Sequence, residues 1–571
     1  MGHFILMPKL GMTMTEGQII KWLVTEGQQI EKGDFLFEVE TDKTTLEVDS
    51  LYEGVIRKLY YDAPVVVPIN TPVAYIGAQD EAVPAPPPVA AETPELVSDT
   101  AADAKVTKED IAETPQPQNK PTYDYDLVVI GAGPGGYVSA IRAAQLGAKV
   151  LVVEKDACGG TCLNRGCIPT KALYYKAKEW MAISRAEQSC FSVSGATFDW
   201  KKIMAFKDAT VKQLVGGVNF LLTKNKIKLI KGQAAVKKTH EVTVGNETIS
   251  AGSIILATGS RPLMRVAAEN KLYSTDELLS LDQLPEKLVI IGGGVVGCEM
   301  AYIYNAFGVD VTLIEIMPQL LPAFDKELSA VLANRMLADD IKVMTQTQVD
   351  KVSGVVGAYT VHLSDGRTMQ SDAVLEAIGR QADKSAFSEI GLKLTEKGYV
   401  AVDDRYATSV EGLYAIGDCT GISQLAHSAS HQGIQVAERL FGETSNSEAQ
   451  LIPACIFSAL EIATVGKTLD EAAQAGFDAM EFKVPYTSNG KALAMNAREG
   501  FIKVVADKRY GEILGVHIIG EQASVLIHEA VMVMRGEMTA SEAAHTIHVH
   551  PTLNEMLMEA YLGCSTGAIH V

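Results

Sequence analysis

The sequence predicts an α/β protein with two copies of one βαβ unit, a small all-β unit ahead of them and an α+β segment behind. Three observations carry this. A glycine pattern set between an apolar strand and a helix-like segment occurs twice, with first glycines Gly131 and Gly292 standing 161 residues apart. Residues 1–77 show short alternating strands broken by Gly17, Gly27, Gly33, Gly54 and Pro68, the pattern of a compact all-β unit. From Tyr125 onward, β-branched runs lead into glycine and then into Ala-rich segments, which is βαβ alternation.

Composition bounds the function classes. At 571 residues the chain is too long for one core, and 47% apolar with 21% charged residues is a globular balance that excludes wholesale disorder, collagen-like repeats and coiled coil. A net charge of −20 without a Lys/Arg run argues against a nucleic-acid partner, because such binding depends on cations displacing counterions. The longest apolar stretches, from Leu127 and from Leu288, are glycine-rich and end at Arg142 and Glu299, short of the roughly 18 residues of a membrane span. No export signal is read in Met1 to Met12, and Leu6 replaces the Ser or Thr of a myristoylation motif, so the expected compartment is the cytoplasm and no membrane partner is expected. Eight cysteines are too few for a disulfide scaffold, so any disulfide is expected to be chemical.

Between the all-β unit and the repeated units, residues 78–122 scatter eight prolines among Ala, Glu, Asp and Thr without apolar periodicity. They read as a flexible linker, able to span on the order of 100 Å if mostly extended. Near the middle of the head, Lys43 lies in Glu40-Thr41-Asp42-Lys43-Thr44-Thr45.

Each glycine pattern is GxGxxG: Gly131, Gly133 and Gly136, then Gly292, Gly294 and Gly297. The first glycine makes the turn, the second admits a pyrophosphate to the backbone and the third packs helix on strand, with the phosphates on the helix N-terminus. An acid ends the next strand in both copies, Glu154 and Glu315, suited to a ribose hydroxyl pair. A single such pattern is weak evidence; two with correct flanks and both acids point to Rossmann-like dinucleotide-binding domains. Glu315 is followed by Ile316-Met317-Pro318-Gln319, with no Arg for a 2′-phosphate, which favours NAD over NADP.

Cys162 and Cys167, separated by four residues in Gly159-Gly160-Thr161-Cys162-Leu163-Asn164-Arg165-Gly166-Cys167, lead into a helix-like segment whose N-terminus would favour a thiolate. The bland alternative is a pair of packing cysteines, and that is the reading for Cys158, Cys190, Cys298, Cys419, Cys455 and Cys564. Toward the other end stands His548-Val549-His550-Pro551-Thr552-Leu553-Asn554-Glu555, in which His550 is a candidate proton acceptor and Glu555 a carboxylate to orient it. A loop histidine is more often structural, and His545 and His548 keep that reading.

These residues resemble the dihydrolipoyl dehydrogenases among the FAD-dependent pyridine-nucleotide disulfide oxidoreductases, over about residues 123–571. Leu256-Ala257-Thr258-Gly259-Ser260-Arg261-Pro262 and Ala377-Ile378-Gly379-Arg380 look like that family's crossovers between nucleotide domains. Tyr414-Ala415-Ile416-Gly417-Asp418 looks like its flavin-contacting strand, with Asp418 on the ribityl chain; from the residues alone Asp418 reads as a helix N-cap. The head resembles a lipoyl domain with Lys43 at the attachment position, flanked by Asp42 and Thr44 where a biotinyl domain would have Met. Mercuric reductases of the wider family carry paired C-terminal cysteines and a Cys-bearing front domain, whereas here Cys564 stands alone and the head has no Cys.

The resemblance implies a division into a lipoyl-like domain (1–77), the linker (78–122), an FAD-binding domain (123–267), an NAD-binding domain (268–390), a central part completing the FAD site (391–453) and an α+β dimerisation domain (454–571). It implies that Cys162 exchanges disulfides with dihydrolipoamide and Cys167 faces the flavin. Lys171 and Glu299 would form the pair beside the flavin, with Thr258, Gly259, Gly379, Asp418 and Ala426 among the cofactor contacts. His550 and Glu555 would come from the partner subunit of a homodimer. FAD, NAD and a lipoyl group on Lys43 are the implied cofactors, with no metal. The implied partner is the lipoylated acyltransferase subunit of a 2-oxo acid or acetoin dehydrogenase complex. A glutathione-like flavin disulfide reductase, or a lipoyl carrier or scaffold subunit, are the alternatives; the fused head could serve either as a substrate-like arm or as a carrier.

Overall fold

The computed structural model describes residues 2–7, 16–40, 45–50, 52–68, 71–79, 83, 123–442 and 451–571. It divides into two units, Met1–Gln116 and Pro117–Val571. The linker read at 78–122 lies almost wholly outside the described residues, and so does Lys43.

The first unit is all-β, as expected. Four strands, His3–Leu6, Pro72–Gly77, Gly54–Leu59 and Gln29–Ile30, lie in that order in one sheet. Thr45–Asp49, Phe35–Glu40, Glu16–Trp22 and Val65–Pro68 form the other. Ile19, Leu36, Phe37, Val39, Ile56 and Ile76 form a single buried cluster, with the register shift between Phe35 and Phe37 letting the adjacent Leu36 and Phe37 both be buried; each such side chain contributes roughly 1.5–3 kcal/mol by leaving water. Phe35–Glu40 and Thr45–Asp49 pair antiparallel with Glu40 opposite Thr45.

In the second unit, the strands Lys228–Lys231, Val150–Glu154, Tyr125–Ile130, Glu247–Leu256 and Leu413–Ala415 run parallel side by side. Glu241–Val244 and Ala234–Lys238 extend the sheet antiparallel. Tyr125–Ile130 is buried over its last four residues, which is why it reads as a continuous apolar run rather than an alternating one. Pro134 then starts the helix Pro134–Gln145 without cost, since the first turn needs no N–H from it. Among the described residues of 391–453, Leu413–Ala415 joins this first sheet and helix Ala426–Phe441 packs on Pro134–Gln145.

A second parallel sheet orders Lys342–Met344, Asp310–Ile314, Lys287–Ile291 and Ala373–Glu376. Strand Ala267–Ala268, which straddles the boundary read at 267/268, pairs with Val349–Val355. The remainder is a five-stranded antiparallel sheet, Ala454–Ile456, Ile462–Gly466, Ile513–Ile519, Phe501–Asp507 and Ala479–Pro485, with helices Ala523–Arg535 and Glu555–Gly563 packed on it. No helix among the described residues is long and apolar enough to cross a membrane.

Candidate active site

A cavity of ≈ 2070 Å³ runs through the second unit and is lined by both glycine loops, both strand-end acids and both cysteines of the expected pair. Gly131, Gly133, Gly292 and Gly294 face it, whereas Gly136 and Gly297 do not. The third glycines serve packing instead, since a Cβ on Gly136 would lie 1.8 Å from the Gly131 carbonyl oxygen, and one on Gly297 1.9 Å from that of Gly292. Only glycine lets each helix come that close to its strand. Gly294, by contrast, would meet no protein atom within 4 Å, so its bare backbone leaves room for a ligand rather than for packing.

The two strand-end acids are held alike. Glu154 Oε2 accepts from the Ala132 N–H at 2.6 Å and Oε1 from Asp156 at 2.8 Å. Glu315 Oε2 accepts from Gly293 at 2.6 Å and Oε1 from Met317 at 2.7 Å. Both carboxylates are buried at the cavity wall, with lone pairs left for hydroxyl donors. Ile316 and Met317, exposed beside Glu315, offer no cation to a 2′-phosphate. Bare glycine backbone, a helix N-terminus and a fixed carboxylate in each copy fit one dinucleotide apiece.

Between the two sheets, Ser260–Pro262 pairs with Arg380–Ala382, bringing Thr258, Gly259 and Gly379 to the cavity. Asp418 accepts from the Ser260 hydroxyl, which also accepts from Arg380 Nε at 2.7 Å. The N-cap alternative for Asp418 fails: it lies inside the 3-10 turn Gly417–Thr420, capped by Ile416, and it lines the cavity. Ala426 starts helix Ala426–Phe441 at the same wall.

The cysteine loop folds as a short helix, Gly160–Arg165, that hands over at Gly166 to the long helix Cys167–Ser184. Asn164 ties it together by donating to the carbonyls of Cys158 at 3.0 Å and Gly160 at 2.9 Å. Cys162 and Cys167 lie side by side, and as thiols they hydrogen-bond to each other. The bond from Cys162 pulls the Cys167 thiol down to about 7, against the desolvation of a side chain that is still exposed and with help from Lys171. Cys162, the donor, is pushed up by the same bond and by burial. Cys167 is the first residue of its helix, where unpaired N–H groups favour a thiolate. Burial pushes Cys158, Cys298, Cys419, Cys455 and Cys564 upward, the behaviour of packing cysteines.

One helical turn past Cys167, Lys171 Nζ lies 2.9 Å from both oxygens of the buried Glu299. The structure thus joins two residues 128 positions apart that spacing alone leaves as surface residues. Sequence reasoning missed Phe457, whose N–H donates to Glu299 at 3.0 Å and whose ring lies 4.6 Å from Lys171 Nζ. No local pattern marks it, because its place comes from the antiparallel sheet packing against the dinucleotide domains.

His550 Nδ1 bonds Glu555 Oε1 at 2.9 Å, and the other carboxylate oxygen accepts from the Thr552 N–H at 2.8 Å. Although desolvation opposes it, these bonds hold the Glu555 carboxyl below its usual range. His550 is 80% exposed, and neither it nor Glu555 lines the cavity, so one copy of the chain does not bring them to the cysteines. His548 is different: both ring nitrogens are engaged, Nδ1 with the Thr546 carbonyl and Nε2 with Glu529, and its side chain is buried. His545 bonds its own helix at the Ser541 carbonyl.

A flavoprotein disulfide oxidoreductase is the class that these features define, and comparison with known proteins agrees. Residues 125–433 match the family model for pyridine nucleotide-disulphide oxidoreductases, residues 452–561 match the dimerisation domain of that family, and residues 3–76 match the biotin/lipoyl model described as biotin-requiring enzyme. The chain belongs to the pyridine nucleotide-disulphide oxidoreductase family. Within it, the dihydrolipoyl dehydrogenase of Geobacillus stearothermophilus is 39% identical over 76% of this chain and 95% of its own. That of Thermus scotoductus is 40% identical over 78% and 99%. Among solved structures, the HOCl-induced flavoprotein disulfide reductase RclA from Escherichia coli superposes with a TM-score of 0.70 at 27% identity, over 76% of this chain and 99% of the other.

Proposed function

We propose that the protein is a dihydrolipoyl dehydrogenase whose dithiol site is completed by a second copy of the chain. The observation that carries this reading is the single cavity that joins the Cys162–Cys167 pair and the Lys171–Glu299 pair to both glycine loops. FAD belongs to the first loop with Glu154, Thr258, Gly259, Asp418 and Ala426, and NAD to the second with Glu315 and Gly379. Bound there, FAD supplies the two-electron link between the protein dithiol and NAD⁺, which is reduced to NADH.

The chain's own residues handle the sulfur and proton steps. His550, oriented through Nδ1 by Glu555, takes a proton from dihydrolipoamide at Nε2. The substrate thiolate attacks Cys162 Sγ, a mixed disulfide forms and the Cys162–Cys167 bond breaks. Cys167 leaves as a thiolate, which its helix N-terminus and Lys171 stabilise at neutral pH. The second substrate sulfur then closes the lipoamide ring and releases Cys162. The Lys171–Glu299 pair places a fixed cation beside the reacting sulfur without leaving a buried charge unpaired.

The exposed, cavity-remote position of His550 supports a homodimer in which His550 and Glu555 of one copy serve the cysteines of the other. The dihydrolipoyl group comes from a lipoylated acyltransferase subunit of a 2-oxo acid or acetoin dehydrogenase complex, and the reaction belongs in the cytoplasm. The head carries its own lipoyl group on Lys43. His550→Gln tests the assignment: dihydrolipoamide oxidation is expected to slow by about 10²–10⁴-fold, the usual contribution of a positioned acid–base group, with flavin content unchanged. An undiminished rate would refute it.

A further inference from the structure

Phe457 stands just past the edge strand Ala454–Ile456 of the antiparallel sheet and lines the cavity. From there it touches both members of the pair beside Cys167. Its N–H donates to Glu299 Oε1 at 3.0 Å, and Lys171 Nζ lies over its ring, 4.6 Å from the centroid. The ring is itself held in place. Tyr174, buried three residues past Lys171 on helix Cys167–Ser184, meets it edge-on at 5.6 Å. Tyr302, three residues past Glu299 on helix Val295–Ala306, packs on Tyr174 at 5.7 Å. Three parts of the chain thus close on one ammonium, which has three N–H donors to place. Glu299 takes Lys171 Nζ on both oxygens at 2.9 Å, and among the described residues Nζ makes no other hydrogen bond. The face of Phe457 is its remaining contact.

A lysine carries its charge on a flexible four-carbon stem, and a quarter of the Lys171 side chain is open, so water competes with Glu299 for the ammonium. An aromatic face attracts a cation through its quadrupole, which an aliphatic wall of the same size does not do. We propose that Phe457 is a positioning residue of the dithiol site: its N–H fixes the Glu299 carboxylate and its ring seats the Lys171 ammonium, so that the cation stays beside Cys167. Through Lys171, the ring supports the thiolate that leaves when the Cys162–Cys167 bond opens. The dimerisation domain then acts on two sites. Phe457 serves the cysteines of its own chain, while in the proposed dimer His550 serves those of the other copy.

This inference rests on the dihydrolipoamide reading for its place in turnover, and the test keeps the two apart. In the full-length, FAD-loaded protein after reduction, iodoacetamide alkylation of Cys167 is followed across pH 5–10. Wild type is compared with Phe457→Leu, Phe457→Tyr, Lys171→Met and the variant that combines Phe457→Leu with Lys171→Met. The leucine variant keeps the N–H and most of the volume but loses the ring face. Its alkylation midpoint is expected to rise by about half a unit, a roughly threefold loss of thiolate below the midpoint. Phe457→Tyr should keep the wild-type midpoint, and Phe457→Leu should add nothing once Lys171 is methionine. An unmoved midpoint in Phe457→Leu, a tyrosine variant that shifts like leucine, or an equal rise with and without Lys171 would overturn the proposal. If the leucine variant misfolds, pentafluorophenylalanine at position 457, which keeps the ring's shape and reverses the charge on its face, should give the same rise. A wild-type protein unable to oxidise dihydrolipoamide would instead sink the reading of the reaction and leave the alkylation result to judge Phe457.

Discussion

Replacing Cys162 with alanine removes the S–H that the Cys167 sulfur accepts, which is the largest influence lowering the Cys167 thiol to about 7. A hydrogen bond to a charged group contributes about 1.5–3 kcal/mol, and one pKa unit is about 1.4 kcal/mol, so the Cys167 midpoint is expected to rise by about one to two units. At a fixed pH below the midpoint, the thiolate fraction would then drop about tenfold or more. Iodoacetamide alkylation of the reduced protein, read by mass spectrometry on the Cys167 peptide across pH 5–10, measures the midpoint directly. The buried cysteines, all pushed upward, should stay slow through that window. A midpoint that remains near 7, or falls, would show that the helix N-terminus and Lys171 suffice and that the Cys162 bond does not set the thiolate.

Three further outcomes follow from the same geometry. Lys171 lowers the Cys167 thiol and Glu299 raises it, so Lys171→Met should move the alkylation midpoint up and Glu299→Gln should move it down; equal shifts of one sign would contradict the pair's assigned influence. Gly297→Ala drives a Cβ to 1.9 Å from the Gly292 oxygen and should cost about 1–3 kcal/mol of stability, read in thermal melting, with a raised KM for NAD⁺. Lys43→Arg should abolish the lipoyl mass on the intact protein while free dihydrolipoamide is still oxidised; a retained modification would move the attachment site elsewhere.

What could be read from the sequence was what local chemistry encodes. The glycine loops, their strand-end acids and the cysteine helix are each built from neighbours in the chain, and the structure sets them around one cavity. His550 and Glu555, five residues apart, were legible for the same reason. The pairing of Lys171 with Glu299, and the role of Phe457 beside them, depend on three separate parts of the chain meeting, and no periodicity records that. Asp418 shows the same limit: its local sequence suits a cap, and only the Ser260–Pro262 crossover turns it to the cavity.

The shared dithiol site is tested most directly by mixing two inactive subunits. Cys167→Ser protein keeps His550, and His550→Gln protein keeps both cysteines, so each homodimer lacks one half of every site. Random exchange in equal amounts makes half of the dimers mixed, each with one complete site, and dihydrolipoamide-dependent NADH formation should recover to about a quarter of the wild-type rate. Recovery to that level is the expected result. No recovery in dimers shown to have exchanged would place His550 and the cysteines in one subunit and contradict the shared site.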